Sequence, residues 1–318
     1  MEANNFTAVS EFVLAGLTNH RKTQILLFVV ILIIYLFTLL GNVVIIVLVQ
    51  ADSRLHTPMY FFLTHLSGLE ICYVSSTVPQ MLVHLLSGNG TISFIRCTSQ
   101  MYIAFALSMG STECLLLGVM AYDRYLAICK PLRYASAMDR KHQHLLATSC
   151  WIMGCLFSMV NIVCIFHHPF CGSNSINHFT CELQFVLKLA CGDIKRTKAI
   201  LNGLSTFIVL VPFSIILCSY SCILYSICQM QSVAGWQKIF STCGSHLVVV
   251  TLFYGTIISI YIIPQSISDP DREKKIAVLY IAVTPLLNPI IYTLRNKDVH
   301  TAMGKVLKRS SFGAKPSC

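Results

Sequence analysis

Residues 108–131 read SMGSTECLLLGVMAYDRYLAICKP. The run is almost wholly apolar as far as Tyr122, yet Glu113 stands in its middle and Asp123 and Arg124 stand together near its end. Ionisable side chains are costly inside a bilayer and belong on the face of a helix that looks into a bundle. A long apolar helix with charges at two depths therefore implies a membrane bundle with polar work at mid-depth and again at one edge.

The remaining sequence agrees. Of 318 residues, 55% are hydrophobic and only 11% charged, against about 25% charged in soluble domains, and the mean hydropathy is +0.69. A bilayer crossing takes about 20 apolar residues, and seven stretches reach that length: 25–49, 59–86, 98–128, 145–166, 199–227, 239–263 and 276–294. The first, fourth, fifth, sixth and seventh contain no Asp, Glu, Lys or Arg. The expected fold is an all-α membrane protein, a seven-transmembrane-helix bundle over 25–294 in a single domain, 1–318. Residues 1–24 lack a short apolar core and small-residue cleavage site, so no removable signal peptide is expected and the first span acts as the insertion signal.

Seven spans put the two termini on opposite sides. With the amino terminus outside, 13 Lys and Arg fall inside and 10 outside, a slight excess in the direction that favours a cytoplasmic carboxy terminus. The sequon Asn5-Phe6-Thr7 supports this orientation as a glycosylation acceptor; a second, Asn89-Gly90-Thr91, reads better as a chance occurrence close to the bilayer. The net charge of +10 fits lipid headgroups and a cytosolic partner rather than nucleic acid. After the seventh span, in the tail 295–318, Val299, Ala302, Met303, Val306 and Leu307 fall at helical spacing with Lys305, Lys308 and Arg309 opposite. They predict a short amphipathic helix on the inner membrane surface.

Fifteen cysteines are present, most of them inside spans, where a free thiol is a small hydrophobe. Cys97, Cys171, Cys181 and Cys191 lie on the outer side and allow two disulfides in three connectivities; a zinc site with His178 is the lesser reading, since the ten-residue spacing matches no usual zinc pattern. Glu70 and Glu113 are the intramembrane acids. Facing each other they share a cation or hold a proton; alternatively each hydrogen-bonds a separate neighbour. Asn42, Ser67 and Asn288 sit at similar depth. Asp123-Arg124-Tyr125 marks the inner end of the third span, either as an anchor or as a lock that pairs locally in one state and is released in another. Pro79, Pro212, Pro285 and Pro289 kink their spans. The outer halves of spans three, five and six offer Met101, Tyr102, Phe105, Ser108, Met109, Leu204, Ser205, Phe207, Ile208, Tyr254, Ile257, Ile258 and Tyr261, a lining suited to a small and largely apolar ligand. No acid in the outer half reads as a counter-ion for an amine. A transporter is disfavoured because the two halves show no internal similarity.

Several runs together resemble the olfactory receptor family of rhodopsin-like G-protein-coupled receptors. They are Gly41-Asn42, LHTPMY (55–60), MAYDRYLAICKPLRY (120–134), Ser219-Tyr220, KIFSTCGSHL (238–247) and PLLNPIIYTLRN (285–296). The likeness covers nearly the whole chain. It implies a plasma-membrane receptor, not an enzyme, that binds a small odorant and activates a stimulatory heterotrimeric G protein to raise cyclic AMP; a receptor sensing a metabolite in another tissue is the alternative. It further implies pairing of Cys97 with Cys181 and of Cys171 with Cys191, an activation lock at Arg124, rearrangement of Tyr220 and Tyr292, Tyr254 as the pocket floor, and a sodium position at Glu70 and Glu113.

Three features depart from the family pattern. The second-span acid is Glu70 rather than Asp, and the loop 229–238 carries a single Lys. Cys97 lies 27 residues before Arg124, two more than the pattern implies. Two residues turn a helix by about 200°, so the pocket face of span three depends on the end from which it is counted. Counting from Cys97 selects Ala104, Phe105, Ser108 and Met109; counting from Arg124 selects Ala106, Leu107, Gly110 and Ser111.

Overall fold

The chain was analysed as a computed structural model that describes residues 10–107, 111–171, 173–229, 233–261, 270–294, 299 and 301–304, without the side chains of 233–242, 259–261, 270–273 and 293–294. Helix α1 (Arg21–Ala51) shows why the chain needs a bilayer. Its inward residues Ile31, Thr38, Asn42, Ile45 and Leu48 form one stripe, yet its outer face is equally apolar, with Leu26, Phe37 and Leu40 each at least 59% exposed. A helix apolar on all sides is stable where lipid replaces water. Five helical runs, 21–51, 94–129, 140–166, 195–228 and 274–292, are long and apolar enough to cross a membrane. Helix α2 (Pro58–Ser87) and the sixth span, with its apolar run Cys243–Ile258, complete the seven.

The third span departs from the uninterrupted 98–128 read in the sequence. It forms two helices, α3 (Phe94–Leu107) and α4 (Thr112–Cys129), with Ser111 at φ −161° and ψ −61° between them. Cys97 is held by its disulfide at one end of the span and Arg124 is buried at the other. Hydroxyls satisfy the carbonyls that the break between α3 and α4 frees, as they must where no water is available. Thr112 Oγ1 donates to Ala106 O at 2.7 Å, and Ser111 Oγ reaches Phe105 O and Gly154 O, each at 3.3 Å.

A short helix α5 (Pro131–Ala137) follows, then α6 (Arg140–Phe166). Asp139 caps α6, accepting from the His142 N–H at 2.8 Å and meeting its imidazole at 2.6 Å. These contacts hold its carboxyl below the ordinary value. After the loop helix α7 (Leu183–Leu187) come α8 (Lys195–Cys228) and α9 (Val233–Tyr261). The seventh span is α10 (Pro270–Val278), a π-helical turn Leu279–Val283, and α11 (Thr284–Leu294). Thr284 N–H donates to Leu279 O, five residues back, and Pro285, next in the chain, has no N–H to restore the α pattern. Helices α8, α2 and α11 continue past Pro212, Pro79 and Pro289. At Pro212 α4 packs tightly on α8: a Cβ at Gly118 would lie 3.2 Å from its ring.

The amino-terminal end of the bundle carries a sheet that the sequence reading did not foresee. Strand β1 (Glu11–Leu14) pairs antiparallel with β2 (Thr91–Ser93) and parallel with β3 (Ser175–Ile176). Phe12 and Leu14 point inward with Ile92 and Ile176, and join Cys97, Met101, Ile165 and Val186 in a small core distinct from the main one. Both disulfides form there, Cys97–Cys181 and Cys171–Cys191. At the other end, residues 301–304 are helical, and Val299 and Ala302 are buried against the bundle rather than facing lipid. Val299 meets Tyr292, Ile45, Leu48 and Leu55 around a small void. Lys305, Val306, Leu307, Lys308 and Arg309 lie outside the described residues.

Candidate functional site

A cavity of about 340 Å³ opens at the disulfide-bearing end, within the size range of ligand sites. Met101, Ala104 and Phe105 of α3, Tyr73 and Thr77 of α2, and Asn161 of α6 form its depth. Leu201, Asn202 and Ser205 of α8 form one wall, with Tyr280 and Ile281 of the π turn opposite. Thr180, Cys181, Glu182, Leu183, Gln184, Leu187 and Lys188 roof it.

The roof is latched rather than loose. Cys181 N–H donates to Gln100 Oε1 at 2.9 Å, and Gln100 Nε2 donates to Ser76 O at 3.2 Å, tying the loop to α3 and α2. Glu182 Oε1 accepts from Tyr280 Oη and, at 3.3 Å, from Thr180 Oγ1, and His178 Nδ1 lies 3.5 Å from the same oxygen. The His178 ring is itself stacked between Phe179 and Phe185, 4.6 Å from each centroid.

Beneath the main cavity, Glu70 and Glu113 line one void of about 10 Å³ with Thr256, Ile257, Tyr280 and Thr284, room for about one water-sized occupant. The two acids are thus together, as one of the two sequence readings required. Glu70 accepts from Asn288 Nδ2, while the buried Ser67 Oγ and Asn288 Oδ1 have no protein partner. Two carboxylates and the residues Thr256, Tyr280 and Thr284, each with a hydroxyl, surround this void, an oxygen-only set of hard donors.

At the far end Asp123 is buried and accepts from Tyr134 Oη of α5 at 2.8 Å. Asp123 and Arg124 do not form the local ion pair considered from the sequence; the ion pairs among the described residues involve Asp52, Asp139 and Glu182. Arg124 is buried, and its Nη2 has no hydrogen-bond partner among the described residues. Tyr220 Oη and His246 Nδ1 are hydrogen bonded at 2.8 Å, joining α8 to α9. Tyr125 stacks on Tyr122 nearby.

Of the expected ligand-facing residues, Met101, Ala104, Phe105 and Ser205 line the main cavity. Ala106 and Leu107, selected by counting from Arg124, are buried in the main core, and Ser111 bonds into the break. Leu204, Ile208 and Tyr254 do not line the cavity; Tyr254 packs on Phe213 and Phe253 below it. Ile257 lines the small void instead, while Ile258 and Phe207 face outward, 45% and 56% exposed. Ser108, Met109 and Asn5 lie outside the described residues, as does the side chain of Tyr261. Glu182, Lys188 and Lys198 were missed because loop and flanking residues carry no periodicity, and Asn202 and Tyr280 because a single polar residue in an apolar span does not mark which way its face turns. His246 was missed although an imidazole inside an apolar helix is itself a signal.

A seven-helix bundle with a roofed cavity at one end, a buried arginine at the other and a column of buried polar groups between them is the architecture of a ligand-responsive membrane receptor. The profile of the olfactory receptor family matches residues 31–310. The chain is 46% identical to human olfactory receptor 13F1 over 308 residues, covering 97% of this chain and 96% of that one. It is 45% identical to mouse olfactory receptor 2C1 over 307 residues (96% and 98%), and 47% identical to human olfactory receptor 2D2 over 310 residues (98% and 99%). The chain belongs to the olfactory receptor family: it is a multi-pass membrane protein of the G-protein-coupled type, and not an enzyme.

Proposed function

We propose that this receptor binds a small, mostly apolar odorant in the cavity under the latched loop and activates a stimulatory heterotrimeric G protein, raising cyclic AMP. The observation that carries this reading is the cavity itself, walled by α2, α3, α6, α8 and the π turn, so that a ligand touches five spans and the roof at once. The amino terminus lies outside the plasma membrane, with Asn5 as its glycan acceptor, and the carboxy terminus lies on the cytoplasmic side. Asp123, Arg124, Tyr125, Tyr220 and Tyr292 form the inner switch, to which we add His246. The ligand favours the state in which α9 swings outward and Arg124 meets the G protein, by no more than its difference in affinity for the two states. Glu70 and Glu113, with Ser67 and Asn288 beside them, would hold a sodium ion. Such an ion supplies positive charge where two carboxylates face one void.

The test is a cyclic AMP reporter assay over a broad odorant panel with surface expression measured in parallel. Arg124→Ala is expected to abolish the odorant response while the protein still reaches the surface. An unchanged response at equal surface density would remove Arg124 from the switch.

A further inference from the structure

Resting on the odorant-receptor reading, we propose that the main cavity selects a small organic anion, a carboxylic acid whose head sits on Lys198 and whose apolar body fills the depth around Met101, Phe105 and Leu201. Lys198, Asn202 and Ser205 stand at i, i+4 and i+7 on α8, which places them on one face, and all three line the cavity. None of the three side chains hydrogen-bonds a described residue, and Lys198 and Asn202 are exposed, so the wall presents a polar stripe open to an occupant of the cavity. At the top of the stripe is an ammonium in the first turn of α8, where the free backbone N–H groups also favour negative charge.

The charge balance of the lining points the same way. Two ammonium groups, Lys188 and Lys198, border the cavity, and neither is ion-paired within the described residues; Lys188 rests its Nζ over the Phe185 ring at 4.8 Å. The one carboxylate among the described lining residues, Glu182, already accepts from Tyr280 and Thr180, with His178 Nδ1 3.5 Å away. Lys195 and Arg196 add positive charge at the same helix start, against Asp193, whose carboxylate accepts the Lys195 N–H. An amine would meet two like charges and a carboxylate whose donors are in place. A carboxylate meets an unengaged ammonium and, one turn below, a free amide. Apolar walls of low polarisability strengthen that attraction.

The experiment measures cyclic AMP in cells displaying the full-length receptor, using octanoic acid, 1-octanol, methyl octanoate and octylamine, and a parallel benzyl series. The acid is expected to be the most potent member of at least one series. Lys198→Gln is expected to lower the acid-to-alcohol potency ratio by about ten-fold or more, the loss of one charge-assisted bond, and Lys198→Arg to retain acid preference. An ester, alcohol or amine more potent than the acid in both series overturns the anion proposal and leaves the odorant-receptor reading intact. An acid preference unchanged in Lys198→Gln overturns the assignment to Lys198. Silence across both series at normal surface density also overturns the proposal, while basal cyclic AMP above that of mock-transfected cells still supports the G-protein reading.

Discussion

Gly154 sits where α6 passes the break in the third span, and its lack of a side chain is what admits the break. A Cβ there would lie 1.9 Å from Thr112 Oγ1 and 2.7 Å from Ala106 O, distances no side chain tolerates, so either the break or α6 must shift. Overpacking of this kind costs about 1–3 kcal/mol. Gly154→Ala is therefore expected to lower the unfolding temperature of the detergent-solubilised receptor. Adding Thr112→Ala should recover only part of the loss, because the Ala106 carbonyl remains in the way and loses its donor. Full additivity of the two substitutions would mean that they do not share this contact. Nothing in the sequence around Gly154 announces the role: a glycine in an apolar helix also suits ordinary close packing, and the partner hydroxyl is 42 positions away.

Among the elements, the third span and the outer sheet differ most from the reading of the sequence alone. The extra residues between Cys97 and Arg124 were visible as a count, but a count does not say where a helix yields. It yields at Ser111 because two hydroxyls in succession, Ser111 and Thr112, can cover the carbonyls of Phe105 and Ala106. The sheet was illegible because its strands are three short segments far apart in the chain, and no local pattern reports such pairing. Once formed, its alternation is strict: Phe12 is fully buried among Phe94 and Phe170, and Val13 is 39% exposed. Phe12→Ala should cost about 3–5 kcal/mol locally and reduce surface delivery, whereas Val13→Ala should leave delivery near wild type. Equal effects in a surface-expression assay would mean that β1 does not pack as a strand.

For the whole molecule, the main cavity and Arg124 lie at opposite ends, and the Glu70–Glu113 void lies between them, sharing Tyr280 with the cavity wall. A cation held there would act on the same equilibrium as the odorant. Agonist potency is accordingly expected to depend on sodium concentration, and Glu113→Gln to abolish that dependence. A sodium response that survives the substitution would return the two acids to separate structural roles.

The amino-acid sequence by itself determined the class of molecule: seven apolar spans, two buried acids and a charged pair at one edge are readable because the bilayer penalises every polar group locally, position by position. Tertiary structure alone decided which residues face the ligand. The break at Ser111 set the turn of α3 toward the cavity, placing Ala104 and Phe105 in it and Ala106 and Leu107 in the core. The latched loop and the start of α8 brought Glu182, Lys188 and Lys198 to its mouth. Those placements depend on a disulfide, a sheet and a helix packed around a missing side chain, contacts between residues distant in the chain, and so no reading of one segment at a time contains them.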